Sequence, residues 1–284
     1  MIKEVISSIT RQDFPHELME VVFVDDGSED KTLQIVSNCA SEIGTKTKVI
    51  HQDWRGLGVA RNTVVSNAEG SYIIWVDGDM LLVRDYVRKQ VEFIERNYSM
   101  GIVSGKYGIS DTKSLIADLE LIGFVARDHR FGEKPAERLP GTGGSIFRVE
   151  AIKQAGGFDG NLKHAGEDTD IAYRIKEAGW LIYLGADAVF FEHCKASLKD
   201  IWRRYLLHGY CLHYVIHKDK GVEKLHEMIP PAAFLSGLLY SIIAYKLVRR
   251  KFVFLLPIFN FFKMTAWCLG LVKSHIKGYG HFQH

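Results

Sequence analysis

The chain has 284 residues, of which 36 are Lys or Arg and 34 are Asp or Glu, so its formal net charge is +2. This near-neutral balance argues against a nucleic-acid-binding protein that depends on bulk positive charge. Hydrophobic residues make up 47% of the chain, which excludes wholesale disorder. The charges are unevenly placed, because all 34 acidic residues but only 29 basic ones precede residue 228. Residues 1–227, the body, therefore carry a net charge of −5, and residues 228–284, the tail, carry +7. This asymmetry indicates a membrane or polyanion partner for one of the two regions.

The cysteines suggest a reducing compartment. Cys39, Cys194, Cys211 and Cys268 are far apart and form no C-x-x-C motif, which excludes a disulfide scaffold and a zinc ribbon. The first residues contain no apolar run long enough for a secretory signal. We therefore expect the body of the protein to be cytoplasmic.

Helices and buried strands alternate in the predicted secondary structure of residues 1–104. Apolar residues at helical spacing predict helices at 2–9, 29–42, 57–68 and 85–96. Short apolar runs at 21–24, 47–51, 72–76 and 100–104 predict buried strands. Residues 105–140 show no clear periodicity of apolar residues. After them the pattern predicts helices near 150–155, before 178 and at 198–216. Short strands are predicted at 181–184 and 188–191. This order predicts an α/β fold with a mostly parallel sheet flanked by helices.

Two long apolar runs form the tail. Residues 229–248 contain one charge, Lys246, and residues 252–272 contain only Lys263. Each run is long enough to span a bilayer, and the alternative is a pair of buried core helices. Two tandem runs without an acidic residue favour membrane association. A spanning pair and a shallow hairpin or interfacial helices both stay open, with domains predicted at 1–227 and 228–284.

Acidic turns follow two of the predicted strands. Asp25 and Asp26 lie in the sequence DDGS at residues 25–28, and Asp77 and Asp79 lie in DGD at residues 77–79. Carboxyl ends of parallel strands meet in the crevice where open α/β sheets bind ligands. Two carboxylates separated by a glycine suit a hard cation such as Mg²⁺ or Mn²⁺. The alternatives are a capped helix start and a solvated turn.

Four further positions are candidates for ligand contact. Arg61 follows a predicted helix start and could reach a phosphate or a base, or form a surface ion pair. Gly144 belongs to a Gly-rich turn that can bring backbone close to a ligand. Glu167 and Asp168 precede a helix, where one could cap and the other face a substrate. His193, after an apolar run, is either a metal ligand or an ordinary loop histidine.

As an ordered set, these pieces resemble glycosyltransferase family 2, the inverting nucleotide-sugar enzymes with the Rossmann-like GT-A fold. The resemblance covers most of residues 1–215. It rests on VDDGSEDKT at 24–32, GVARN at 58–62, WVDGD at 75–79, GGFD at 156–159, GEDTD at 166–170 and AYRIKEAGW at 172–180.

The resemblance implies the donor-site roles. Asp26, with Asp25 as the alternate, would hold the nucleotide base, and Arg61 would lie beside the nucleotide. Asp77 would meet the ribose or the metal, and Asp79 the metal on the diphosphate. We expect a nucleotide-sugar donor and a divalent cation, Mg²⁺ or Mn²⁺.

The resemblance also implies the catalytic groups. Asp168 would be the catalytic base, with Glu167 beside it, and His193 matches a histidine often found after the last strand. A base suits a hydroxyl acceptor, such as a lipid-linked or surface glycan, because a lipid phosphate is already ionised at pH 7. The alternatives are a polyprenyl-phosphate glycosyl synthase and a non-catalytic membrane-bound paralogue.

One departure from the family concerns the first strand. The family usually opens with a strand of the type VSVIIPTxN, and here Met1 begins at or just before the following helix. We expect this strand to be missing from residues 1–284, through a late start, truncation or real loss.

Overall fold

The computed structural model describes residues 1–40, 43–110, 112–128, 135–136, 138–194, 197–219 and 228–279. The strands in these residues are β1 (Glu20–Asp26), β2 (Lys46–Gln52), β3 (Tyr72–Ile74), β4 (Met80–Leu82), β5 (Met100–Ser104), β6 (Lys106–Tyr107), β7 (Ser145–Arg148), β8 (Leu181–Tyr183) and β9 (Val189–Glu192). The helices are α1 (Ile2–Thr10), α2 (Thr32–Ala40), α3 (Leu57–Asn67), α4 (Tyr86–Ile94), α5 (Leu115–Asp128), α6 (Val149–Gln154), α7 (Glu167–Glu177), α8 (Leu198–Lys218), α9 (Pro230–Val248) and α10 (Leu256–Lys277). Short 3-10 helices occur at His16–Leu18 and Lys251–Leu255.

The strands form three sheets with mixed pairing. β1 pairs with β2 in parallel, the second sheet has the order β3-β7-β5-β8, and the third has the order β4-β9-β6. β7 is antiparallel to both β3 and β5, β4 is antiparallel to β9, and the pairs β5–β8 and β6–β9 are parallel. The predicted α/β class is confirmed, while the pairing is mixed rather than mostly parallel.

The described residues divide into two compact units. The first contains residues 1–108, 131–163 and 167–193, and so holds every strand. The second contains residues 109–130, 164–166 and 194–284, and so groups α5 and α8 with α9 and α10. We call these the α/β unit and the helical unit. The predicted boundary after residue 227 borders a segment outside the described residues and stays a prediction.

Apolar residues of β3, β5, β7 and α7 build the main core of the α/β unit. Ile102, Phe147 and Ile171 are fully buried there, and Trp75 packs edge-on against Phe147. Ile6 of α1 packs separately with Val36 and Ile43 beside the β1–β2 sheet. This packing fixes the ends of β1 and β3, where the acidic turns lie.

A buried ion pair joins three helices of the helical unit. Lys263, the one charge in the second apolar run, lies 2.8 Å from a carboxylate oxygen of Glu120 on α5. The hydroxyl of Tyr205 on α8 donates to the other oxygen at 2.9 Å. Burial acts to raise the pKa of Glu120, but the charges of Lys263 and Arg204 and the hydrogen bonds from Lys263 and Tyr205 together hold that pKa below its ordinary value. The buried charge of Lys263 is therefore paired within the unit.

The backbones of α8 and α10 touch at two glycines. A β-carbon on Gly270 would lie 2.0 Å from the carbonyl oxygen of Leu206, and one on Gly209 would lie 1.9 Å from that of Trp267. Both distances are far below van der Waals contact, so only glycine fits at either position. The two helices are therefore held in fixed register.

Much of the apolar surface of the two C-terminal helices is exposed. The segments Pro230–Val248 and Lys251–Lys277 are long and apolar enough to cross a membrane, judged by length and composition. In the most apolar 18-residue stretch of each segment, only 22% of the first and 39% of the second is buried in the structure. Leu235 and Ile258 are more than 60% exposed and line an apolar groove with Pro231, Phe234 and Phe261. An exposed apolar surface of this kind is typical of a site that contacts a membrane or another protein.

We expect the close contact between α8 and α10 to make stability sensitive to a substitution at Gly270. Gly270→Ala should destabilise the protein by about 1–3 kcal/mol, because the new methyl group overlaps the Leu206 carbonyl oxygen. Gly123→Ala on α5 is the control, since its nearest neighbour would lie at 3.6 Å. It should leave stability unchanged or raised, because alanine favours a helix. Thermal unfolding measures both; equal shifts would contradict the close contact.

Candidate functional site

The acidic turn after β1 is built by its pairing with β2. The parallel register places Asp25 opposite His51 and Asp26 opposite Gln52. His51 Nδ1 lies 2.8 Å from Asp25 Oδ2, and Gln52 donates to Asp26 at 2.7 Å. Burial acts to raise the pKa of Asp25, but hydrogen bonds from Ser28 and His51 bring it below its ordinary value. The carboxylate of Asp25 at the strand end is therefore ionised at neutral pH.

Asp26 also holds the segment that leads into α3. Its carboxylate accepts the backbone N–H groups of Arg55 at 2.9 Å and Gly56 at 2.8 Å. Asp25 differs, because its buried Oδ1 has no hydrogen-bond partner among the described residues. Asp26 thus shapes the end of β1, and Asp25 retains an acceptor atom.

The first backbone N–H groups of α3 form hydrogen bonds with another segment of the chain. The backbone N–H groups of Leu57 and Gly58 donate to the carbonyl oxygens of Lys163 and Leu162, at 2.9 and 3.1 Å. These amides are therefore engaged in holding the 162–163 segment. What α3 contributes to the site is the side chain of Arg61.

Arg61 lies between two acidic side chains. Its Nε donates to Glu167 at 3.1 Å, and its NH2 group lies 3.7 Å from an oxygen of Asp77. The guanidinium also lies over the ring of Trp75, 5.1 Å from the centroid. Arg61 is 12% exposed and Glu167 only 3%, whereas half of the Asp77 side chain is exposed. One cation thus links α3, α7 and the turn after β3.

The Gly-rich turn lies against both Asp77 and Asp168. A β-carbon on Gly143 would lie 3.0 Å from Asp77 Oδ2, and one on Gly141 would lie 3.2 Å from Asp168 Oδ2. The α-carbons of residues 141 and 143 can be at most about 7 Å apart. The structure therefore brings Asp77 and Asp168, which are 91 residues apart in the sequence, to the same short turn.

Gly144 anchors this turn. Its carbonyl oxygen accepts from the Tyr86 hydroxyl at 2.5 Å and from the Gly105 N–H at 2.8 Å. It adopts φ +68°, and a β-carbon there would overlap the ring of Phe190. The glycine is required by packing, and its predicted contact with the nucleotide sugar stays a prediction.

Asp79 and His193 are neighbours at the start of β4 and the end of β9. The backbone N–H of His193 donates to the carbonyl oxygen of Asp79 at 3.0 Å, and the antiparallel register pairs Met80 with Glu192. The His193 side chain is exposed. The backbone of His193 therefore lies beside the DGD turn, and the metal-binding role of Asp79 and His193 stays a prediction.

Glu167 and Asp168 have different environments although they are adjacent in α7. Burial, followed by the nearby charge of Asp168, raises the pKa of Glu167 to about 7 in spite of Arg61. Asp168 is half-buried, and its Oδ1 accepts the Thr169 N–H at 2.7 Å. Asp168 is the more accessible carboxylate of the two.

Two residues beside the site were not predicted from the sequence. Trp54 is 53% exposed, and its backbone N lies within 2.8 Å of a β-carbon placed on Gly27 of the DDGS turn. The ammonium of Lys163 lies 5.7 Å from the Trp54 ring centroid. The available signal was a tryptophan three residues after a predicted strand, because tryptophan can stack on a ligand ring.

Comparison with known proteins settles the family. Residues 1–156, more than half of the chain, match the sequence profile described as Glycosyl transferase family 2. The chain belongs to glycosyl transferase family 2. It is 35% identical over 98 residues to the poly(ribitol-phosphate) beta-N-acetylglucosaminyltransferase TarS of Staphylococcus aureus, covering 34% of this chain and 17% of that relative. It is 24% identical over 245 residues to the succinoglycan biosynthesis protein ExoA of Rhizobium meliloti, covering 78% and 69%.

Solved structures show the GT-A fold of this family member. The mannosyltransferase PcManGT of Pyrobaculum calidifontis, solved with GDP-Man and Mn²⁺, matches with a TM-score of 0.60 at 20% identity, covering 98% of this chain and 72% of that one. Residues 1–349 of S. aureus TarS match with a TM-score of 0.51 at 19% identity, covering 99% and 89%. The chain spans less than a third of two of its curated relatives, 17% of TarS and 31% of the Streptococcus pneumoniae glycosyltransferase GlyA.

Because Glu167 is buried, we expect the stability of the folded protein to depend on pH. Because its folded pKa of about 7 lies above the ordinary 4.5, the folded state binds more protons between these values. Its contribution to stability is therefore lost as pH rises through that window. Glu167→Gln should gain stability relative to wild type from pH 5 to pH 8, by up to about 3 kcal/mol.

Thermal unfolding of both proteins at a series of pH values tests this. Glu177→Gln, the same change at an exposed position at the other end of α7, is the control. If the two variants show the same pH trend relative to wild type, the burial of Glu167 is not the cause.

Proposed function

We propose that this protein transfers a sugar from a nucleotide-diphosphate sugar to a hydroxyl group of a lipid-linked or cell-surface glycan, with inversion and with a divalent cation. The observation that carries the proposal is the approach of Asp77 and Asp168 to one glycine turn. A displacement at an anomeric carbon needs a group that binds the leaving diphosphate, directly or through a cation, and a separate base that accepts the proton of the acceptor hydroxyl. Two carboxylates from different elements, facing one turn, meet that requirement.

The residues after β3 fit a hard cation. Asp77 presents a half-exposed carboxylate, and Asp79 and His193 are joined by a backbone hydrogen bond. Carboxylate oxygens with one imidazole suit Mn²⁺, and carboxylate oxygens alone suit Mg²⁺. Asp77, Asp79 and His193 would hold the ion, which when bound supplies positive charge to the leaving diphosphate. Arg61 keeps Asp77 in place through its guanidinium.

The end of β1 supplies the base-recognition groups in this proposal. Asp26, with Asp25 as the alternate, is proposed for the nucleotide base, and the partnerless Oδ1 of Asp25 supports the alternate. The exposed ring of Trp54 beside the same turn offers a face on which a base can stack. Lys163, over that ring, adds positive charge near the nucleotide.

Asp168 is the proposed catalytic base. It is accessible and lies against the turn at residues 141–144, so it can accept the proton of an acceptor hydroxyl. Glu167 is buried and bonded to Arg61. Within this proposal Glu167 positions Arg61, and its predicted place among the catalytic groups stays a prediction.

The apolar helices support membrane association. The exposed apolar side chains of α9 and α10, together with the seven basic residues of the tail, suit a membrane surface with anionic head groups. This would keep the enzyme near a lipid-linked acceptor. A cytoplasmic location of the α/β unit stays a prediction.

Sugar transfer tests the assignments of Asp168 and Asp79. A thermal-shift screen of UDP-, GDP- and dTDP-sugars with Mn²⁺ first identifies a donor, because a bound ligand stabilises the folded state. With that donor, Asp168→Asn should lower turnover about 100-fold or more while the donor-induced shift stays. Asp79→Ala should abolish both transfer and the Mn²⁺-dependent part of the shift.

Asp187→Asn is the matched control for these variants. Asp187 is 73% exposed, pairs with Lys106 and precedes β9 at the end opposite His193, so transfer should be unchanged. Wild-type turnover in Asp168→Asn with every acceptor would reject Asp168 as the base. Transfer to a polyprenyl phosphate by that variant would favour the lipid-phosphate enzyme, and no shift with any donor would favour a non-catalytic paralogue.

Vesicle sedimentation tests the membrane proposal. The full chain should bind vesicles containing anionic lipid, and Leu235→Gln should weaken binding about tenfold, because an exposed leucine contributes roughly 1.5–3 kcal/mol on insertion. Leu18→Gln, the same change at a side chain that is 71% exposed in the α/β unit, should bind as wild type. Equal binding by both variants would show that α9 does not insert.

A further inference from the structure

Three histidines lie together in the helical unit, near the C-terminal ends of α8 and α10. His213 and His217 are four residues apart on α8, so they share one face of that helix. His275 lies in the last turn of α10. One ring nitrogen from each residue lies within 4.8 Å of those of the other two.

The spacing approaches that of a metal centre. A tetrahedral dication binds imidazole nitrogens at roughly 2.0–2.1 Å, which holds them about 3.3–3.4 Å apart. His213 Nε2 already lies 3.2 Å from His275 Nδ1. The rings of His213 and His217 have centroids only 4.0 Å apart, and both His217 and His275 are exposed. Small rotamer changes of exposed rings therefore suffice to complete the geometry.

A hydrogen bond fixes the tautomer of His217. Its Nδ1 lies 2.8 Å from the backbone carbonyl oxygen of His213. A carbonyl oxygen can only accept, so Nδ1 carries the proton and the lone pair of His217 is on Nε2. A ring N–H donated to a backbone carbonyl is the usual outer contact of a metal-binding histidine.

The helices that carry the rings cannot easily slide. Gly209, one turn before His213, and Gly270, just over one turn before His275, are the points where the backbones of α8 and α10 touch.

We propose that His213, His217 and His275 form a binding site for a transition-metal dication, Zn²⁺ foremost, which fastens the end of α10 to the end of α8. An all-imidazole set selects Zn²⁺ over Mg²⁺ and Mn²⁺, which prefer oxygen ligands. The site shares no residue with Asp77, Asp79 or His193. Three protein ligands leave a fourth position for water.

Zn²⁺ binding to the full chain tests the proposal. Equilibrium dialysis is done with excess Mg²⁺, which occupies oxygen-rich sites but not imidazoles. The wild type should bind Zn²⁺ at this cluster and unfold at a higher temperature with Zn²⁺. His217→Gln and His275→Gln should each weaken binding about tenfold or more. His208→Gln, an exposed histidine on the same helix, should bind Zn²⁺ as the wild type does.

The outcomes separate clearly. Unchanged Zn²⁺ affinity in both cluster variants, or no Zn²⁺ binding by the wild type, would overturn the proposal. Circular dichroism shows whether each variant keeps wild-type helix content. If a variant unfolds, Co²⁺ bound to the wild-type chain in excess Mg²⁺ decides: an intense tetrahedral absorption supports the site, and a weak octahedral one contradicts it.

Discussion

The arrangement of the site depends on the guanidinium of Arg61. It neutralises the buried Glu167 and approaches Asp77, while its flat face rests on Trp75. A buried carboxylate without such a cation costs several kcal/mol. The next residue, Asn62, exchanges two 2.8 Å hydrogen bonds with the backbone of Phe158. One turn of α3 therefore sets the charge balance of the site and ties the helix to the segment ahead of α7.

Charge is distributed by task in this chain. The acidic body presents carboxylates at strand ends, where the proposed cation and diphosphate would need local ligands rather than bulk positive charge. The basic tail accompanies exposed apolar helices. Family membership accounts for the α/β scaffold and the order of the acidic turns. The sugar and the acceptor depend on the segments around the site, since one fold serves many substrates.

The strand ends were predictable because runs of apolar residues and the turns after them are local features. Asp25, Asp26, Asp77 and Asp79 could therefore be placed. The pairing of Arg61 with Glu167, 106 residues away, could not, because burial and ion pairs depend on tertiary packing. β7 was missed because only two of its four residues, Ile146 and Phe147, are apolar, and α5 because apolar residues on most of its faces obscure the helical period.

The ion pair between Glu120 and Lys263 links parts of the chain that are 143 residues apart. During synthesis, α5 emerges long before α10, so Glu120 has no Lys263 to meet until the chain is almost finished. The order of assembly follows from this. The helical unit is completed last, and Lys263, the buried lysine of α10, enters apolar surroundings only when Glu120 of α5 is already in place. A C-terminal segment detached from α5 would leave Lys263 without its buried partner.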